Sequence, residues 1–322
     1  MTLEAILRFL VPAVIAVLAA YGMDRMMVTR GLLPPGFRDP VRRALGGGLV
    51  ALILWIGVFS SLGTIGQKVE QPNVENLTTP QLFLLHTLLL LTIGGWFLLG
   101  YAGVRPSPPR PPSPGPPESP APGEGGEEMM PIEPVPAGPP PMPLWRQFLA
   151  QFGLLAPSVP REIGIGLLLG VGAWGAVLVA AIVVGLIVVA LGGEQALPKE
   201  PPALIPFLAG LPLALRLMIS LSAGVVEELF FRGFLQPRVG IAFSTLLFVF
   251  AHFSYGQPLM LVGIATLSLI YGLLVRWRQT IWPAMAAHAL FDGVQLLVII
   301  PMALRFMEKE APKAAALLLL GR

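Results

Sequence analysis

Apolar runs long enough to cross a bilayer alternate along the chain with short polar, arginine-bearing intervals. The first run extends from about Ile6 to Met23, the second from about Ala44 to Ile65, the third from Gln81 to Val104. After a proline-rich interval, a fourth run, rich in Gly, Ala and Val, covers Ile163 to Leu191, and a fifth covers Leu204 to about Phe231. Ile241–His252 is short for a complete crossing; Leu259–Val275 and a last run reaching about Met302 follow. Thr280 has the chemistry of an N-cap for that last run, with Pro283 in its first turn. About 20 consecutive apolar residues cross the hydrocarbon core as a helix. Only helices and closed barrels satisfy their backbone polar groups there. The pattern predicts an all-α, polytopic transmembrane helix bundle of about eight spans.

The polar intervals set orientation and division. Arg25, Arg30, Arg38, Arg42 and Arg43 follow the first run, which puts that loop in the cytoplasm and the N-terminus outside. Alternation then leaves the C-terminus outside. On the same rule Arg232 and Arg238 predict a cytoplasmic turn around Gln236-Pro237, and Arg276 and Arg278 mark the cytoplasmic end of the seventh span. Residues 1–22 carry no basic leader or clear cleavage site and are read as a retained span. Proline makes up more than half of Pro106–Pro122, and such density is incompatible with helix or sheet. Residues 105–144 are therefore expected to form a semi-extended linker between a three-span unit (1–104) and a second membrane unit (145–302), with a tail at 303–322. Trp145, Phe148, Leu149, Phe152 and Leu155 recur at helical spacing and predict an interfacial amphipathic helix ended by Pro157 and Pro160.

Composition narrows the class. With 55% hydrophobic and 12% charged residues and a mean hydropathy of +0.76, the 322-residue chain is no soluble domain; its partner is the lipid bilayer. A net charge of +3 does not argue for nucleic acid, because the basic residues lie beside apolar spans. The absence of cysteine excludes disulfides, thiolate catalysis and cysteine-ligated metal. A bacterial cytoplasmic (inner) membrane is compatible with these features.

Against this background Glu227-Glu228-Leu229-Phe230-Phe231-Arg232 stands out, closing the fifth run. Charge in such a segment is costly and is paired or functional where it persists. Glu228 and Arg232 are i,i+4 with the acid first, the favoured order for an ion pair. Glu227 projects about 100° away, so one carboxylate is neutralised and the other left for a general base. An ordinary ion pair at a helix end fits these six residues equally. His252 lies four residues after Phe248, and His288 and Asp292 are i,i+4 on the last span. These groups come from three separate spans, and facing lipid would leave each unsatisfied, so they are expected to converge. His86 on the third span is read apart from them, as an interhelical hydrogen-bonding group.

Glu-Glu-x-x-x-Arg, then Phe-x-x-x-His, then His-x-x-x-Asp, in this order in apolar helices, resembles the type II CAAX prenyl protease family, also known as the CAAX protease and bacteriocin-processing (CPBP) family. The resemblance covers roughly residues 160–302. It implies hydrolysis of a peptide bond in a membrane-embedded or membrane-associated, CAAX-type substrate by a glutamate-activated water, with neither metal nor cofactor. Carried over, it makes Glu227 the general base and gives His252 the task of holding the water. Glu228 and Arg232 position the site, and His288 stabilises the oxyanion. Asp292 replaces an asparagine common in the family. An ionised aspartate has no N–H to donate, so it is better suited to orienting His288.

Two other classes use the same residue types. A zinc hydrolase can employ two histidines and glutamates, although His-Glu-x-x-His is absent and Arg232 sets a cation against a prospective ligand. A non-catalytic scaffold, immunity protein or transporter with a polar relay is the second.

Overall fold

The computed structural model describes residues 2–64, 78–104, 142–193, 195, 204–255 and 258–306. The linker, the loops around 66–77 and 196–203 and the terminal apolar run lie outside the described residues. Among the described residues the chain is helical, without strands. Six helices are long and apolar enough to cross a membrane: Leu3–Thr29, Pro40–Gly63, Thr79–Tyr101, Val159–Gly192, Leu259–Arg278 and Trp282–Phe306.

The elements are α1 (Leu3–Thr29), α2 (Pro40–Leu54), α3 (Thr79–Tyr101), α4 (Leu144–Gln151), α5 (Val159–Gly192), α6 (Leu204–Gly210), α7 (Leu213–Ser222), α8 (Gln236–Val239), α9 (Ile241–Ala251), α10 (Pro258–Arg278) and α11 (Trp282–Val294). Local chemistry starts several of them. Asp39 accepts from the amides of Val41 and Arg42 at 2.8 and 3.1 Å ahead of α2, with Pro40 in its first turn. The Thr78 amide donates to the Gln81 side chain at 2.8 Å ahead of α3.

Expectation and structure part in the second unit. The fifth run is not one span. Pro212 separates α6 from α7, as a proline disfavours helix in the residue before it. From Leu213 the helical path passes Phe231 and continues through π-helical turns at Ala223–Glu227 and Leu229–Leu235 into α8. The carboxylates therefore lie inside the path and do not close it. No turn occurs at Gln236-Pro237; the chain reverses at Gly240, whose φ of 88° suits glycine. α9 has 11 residues and covers about 17 Å of a hydrocarbon core about 30 Å thick. Among the described residues six of the eight expected runs form single helices of spanning length; the other two are the broken α6–α8 path and the short α9.

Arg232 and Arg238, expected at a turn in the headgroups, are 1% and 4% exposed. The Arg238 guanidinium lies over Trp96 (4.4 Å) and Phe234 (4.7 Å) and donates to the Phe234 carbonyl at 2.5 Å. Its own carbonyl accepts from Arg30 at 3.1 Å. Aromatic faces and main-chain oxygens from several helices do here what water does at a surface. Thr280 is not an N-cap either; its hydroxyl donates to the Gly153 carbonyl at 2.8 Å. Glycine 153 (φ 69°), not Pro157, ends α4, and Phe152 is fully buried.

Residues of both sequence units share one apolar core, with Trp96 against Phe234 (5.0 Å) and Phe97 against Phe148 (5.1 Å). Ser61 donates to the Phe250 carbonyl across the same seam at 3.1 Å. Elsewhere in the bundle α5 meets α11 through small residues. A Cβ on Gly170 would stand 3.1 Å from Cα of Ala287, so the backbones touch. Gly170→Leu is expected to push α11 away and cost about 1–3 kcal/mol. A lowered thermal midpoint of the detergent-solubilised protein would register it.

Candidate functional site

The polar groups expected to converge do so in two adjoining networks, built on the π-helical stretch between α7 and α8. π-helical turns are uncommon and concentrate at functional sites. Glu227 ends the first of these turns and Glu228 follows immediately, so the neighbouring carboxylates face different helices.

Glu228 belongs to the deeper network. It is 0% exposed, with Oε2 3.2 Å from Nε of Arg232 and Oε1 2.8 Å from Nδ1 of His288. The other nitrogen of His288 stands 3.5 Å from Oδ2 of Asp292 on the same helix. Both imidazole nitrogens therefore face carboxylates, and the four groups sum to zero charge when His288 carries both protons. Rings enclose them. Phe248 lies tilted against His252 (4.6 Å) and carries the Arg232 guanidinium 4.5 Å above its face, while Tyr271 stacks on His288 at 5.4 Å. Arg232 also donates to the Ser268 carbonyl of α10 at 3.3 Å.

Glu227 belongs to the shallower network and is about one-sixth exposed. Oε2 lies 3.9 Å from Nε2 of His252. His252 Nδ1 is 2.8 Å from the Phe248 carbonyl. A carbonyl only accepts, so Nδ1 carries the proton and, in the neutral ring, Nε2 is the accepting nitrogen. Oε1 lies 3.4 Å from Nε2 of His86, whose Nδ1 is 2.7 Å from the Ser222 hydroxyl.

All six residues singled out from the sequence thus lie in one region. Sequence reasoning kept His86 apart from them; it does bond between helices, but its partner is Glu227. Ser222 and Tyr271 were also missed. No local spacing marks any of the three, and the only available signal was that a chain with three histidines places every one in an apolar helix or at its end.

Residues 209–294 match a family described as type II CAAX prenyl endopeptidase Rce1-like. That segment, 86 of the 322 residues, is similar to the family. It contains Glu227, Glu228, Arg232, His252, His288 and Asp292, whereas His86 falls outside it. A 79-residue stretch is 30% identical to the uncharacterized protein YpbD of Bacillus subtilis (strain 168), covering 24% of this chain and 42% of that protein. The chain therefore spans less than half the length of that relative. No solved structure matches. With an Rce1-like segment and six helices of spanning length, this is an integral membrane protein.

Proposed function

We propose that the protein is a CAAX-type intramembrane endopeptidase that cleaves a membrane-associated peptide with a glutamate-activated water. The observation that carries this reading is the pair of acceptors formed by Glu227 Oε2 and His252 Nε2, 3.9 Å apart, within an Rce1-like segment. A water molecule donating one hydrogen to each is held between them. Glu227 takes a proton as the water oxygen attacks the peptide carbonyl, and returns it to the leaving amine as the bond breaks. His252 orients the nucleophile through Nε2.

Carbonyl attack places negative charge on oxygen, and a preorganised donor there is worth about 3 kcal/mol. His288 is the residue suited to this. Glu228 holds Nδ1 at 2.8 Å, whereas Nε2 has only the longer 3.5 Å contact to Asp292. An oxyanion competes for that proton. Asp292, an acceptor only, keeps the imidazole charged and aimed. Arg232 neutralises Glu228, so the deeper network holds its shape without adding net charge. The rest of the chain, as a three-span unit, a proline-rich linker and this protease unit, serves to seat the site in a bilayer, by this reading the bacterial inner membrane.

The same geometry bears on metal chemistry. Glu228 faces a guanidinium, which donates and does not ligate. Among the described residues no three of His, Cys, Asp and Glu are grouped to hold an ion. Cleavage of a farnesylated CAAX-type reporter peptide by the reconstituted protein is expected to survive a zinc chelator. Activity lost to the chelator and restored by zinc would replace the glutamate mechanism with a metal one.

A further inference from the structure

Glu227 has two oxygens with different surroundings, and α3 supplies one of them. Oε2 faces His252, while Oε1 faces Nε2 of His86, a residue 141 positions earlier and outside the Rce1-like segment. The imidazole of His86 is held from behind by Ser222 at 2.7 Å. Ser222 and Glu227 are five residues apart. On an α-helix that spacing turns side chains about 140° away from one another. The intervening Ala223–Glu227 turn is π-helical, and its i+5 repeat brings the two onto one face. One ring can then touch both. The widened turn and the histidine fit each other, although they come from separate parts of the sequence.

We infer that His86 is a positioning residue for the general base: it fixes the carboxylate of Glu227 through Oε1 so that Oε2 is presented to the water beside His252. This rests on the reading of Glu227 as base. In the neutral ring with the proton on Nε2, the Ser222 hydroxyl donates to Nδ1 and Nε2–H donates to Oε1, so all three groups are satisfied with one orientation of the ring. Such outer partners fix both tautomer and direction of the group they hold. His86 is only 14% exposed at its side chain, which limits competition from water. The third helix, outside the matched segment, therefore contributes to the site itself.

The test uses the full-length protein in phospholipid vesicles with a quenched fluorescent, farnesylated CAAX-type peptide. His86→Ala is expected to lower kcat about ten- to a hundredfold with KM unchanged, the scale of loss for a group that orients another. His86→Gln, which restores an N–H near the Nε2 position, should recover much of that loss. A second measurement needs no substrate. With three histidines in the chain, isotope labelling of histidine gives three imidazole spin systems. The nitrogen resonances of His86 should move in both Glu227→Gln and Ser222→Ala. A His86→Ala protein with wild-type kcat, or His86 resonances unmoved by Glu227→Gln, overturns the inference. Cleavage that survives Glu227→Gln overturns instead the reading of Glu227 as base, and the positioning role falls with it even where the resonances move.

Discussion

Glu227→Gln is expected to abolish peptide cleavage, by about 10²–10⁴-fold, in a protein that still folds. Glutamine has the shape of glutamate but takes no proton from an attacking water. Its tolerance in the fold follows from the surroundings. The neighbours of Glu227 are imidazoles at 3.4 and 3.9 Å that keep contacts of their own, to the Ser222 hydroxyl and the Phe248 carbonyl, and no guanidinium is left without its counter-ion. Turnover of the vesicle-bound reporter peptide measures the first part and the thermal midpoint in detergent the second. Wild-type turnover in this variant would move the base elsewhere, with Glu228 next in line.

The second large effect is the opposite kind, a loss of stability. Arg232→Met leaves Glu228 fully buried beside Phe248 with its cationic partner gone. Removing one member of a buried ion pair costs about 3–5 kcal/mol; here the Glu228 carboxylate keeps His288 at 2.8 Å, but the deeper network loses its balance of charge and is left net negative. The double variant Glu228→Gln/Arg232→Met deletes both charges at similar volume and should regain most of that stability. It should not regain activity, since His288 then lacks the carboxylate at 2.8 Å that holds Nδ1. Unfolding midpoints and turnover of the three proteins separate the two contributions. An unchanged midpoint for Arg232→Met would mean that water reaches the pair.

Much of the bundle was legible because hydropathy is a sum over many residues. The long runs of α1, α2, α3, α5, α10 and α11 carry it unmistakably, and the Gly-rich pattern of α5 foretells its close approach to α11. Single-residue events were harder. Pro212 was visible, but the apolar run around it concealed the break between α6 and α7. The two π-helical turns have no composition of their own; the first packs against α3 and α11, the second against α3, α9 and α10. Arg232 and Arg238 were misplaced because a rule for surface arginines does not see the rings of Trp96, Phe234 and Phe248, which come from other helices or other turns. Within the candidate site, i,i+4 spacing captured Glu228 with Arg232 and His288 with Asp292. It carried no information about His86, whose link to Glu227 exists only in three dimensions.

The brevity of α9 has a chemical consequence. A helix that stops after 11 residues leaves main-chain carbonyls without amide donors at its end. One of them, that of Phe248, accepts a hydrogen bond from Nδ1–H of His252. A truncated helix thus acts as a tautomer selector. The side-chain hydrogen bond at the end of α9 also dictates which imidazole nitrogen faces Glu227 as an acceptor, so the end of a secondary-structure element and the proton inventory of the proposed site are set by a single bond.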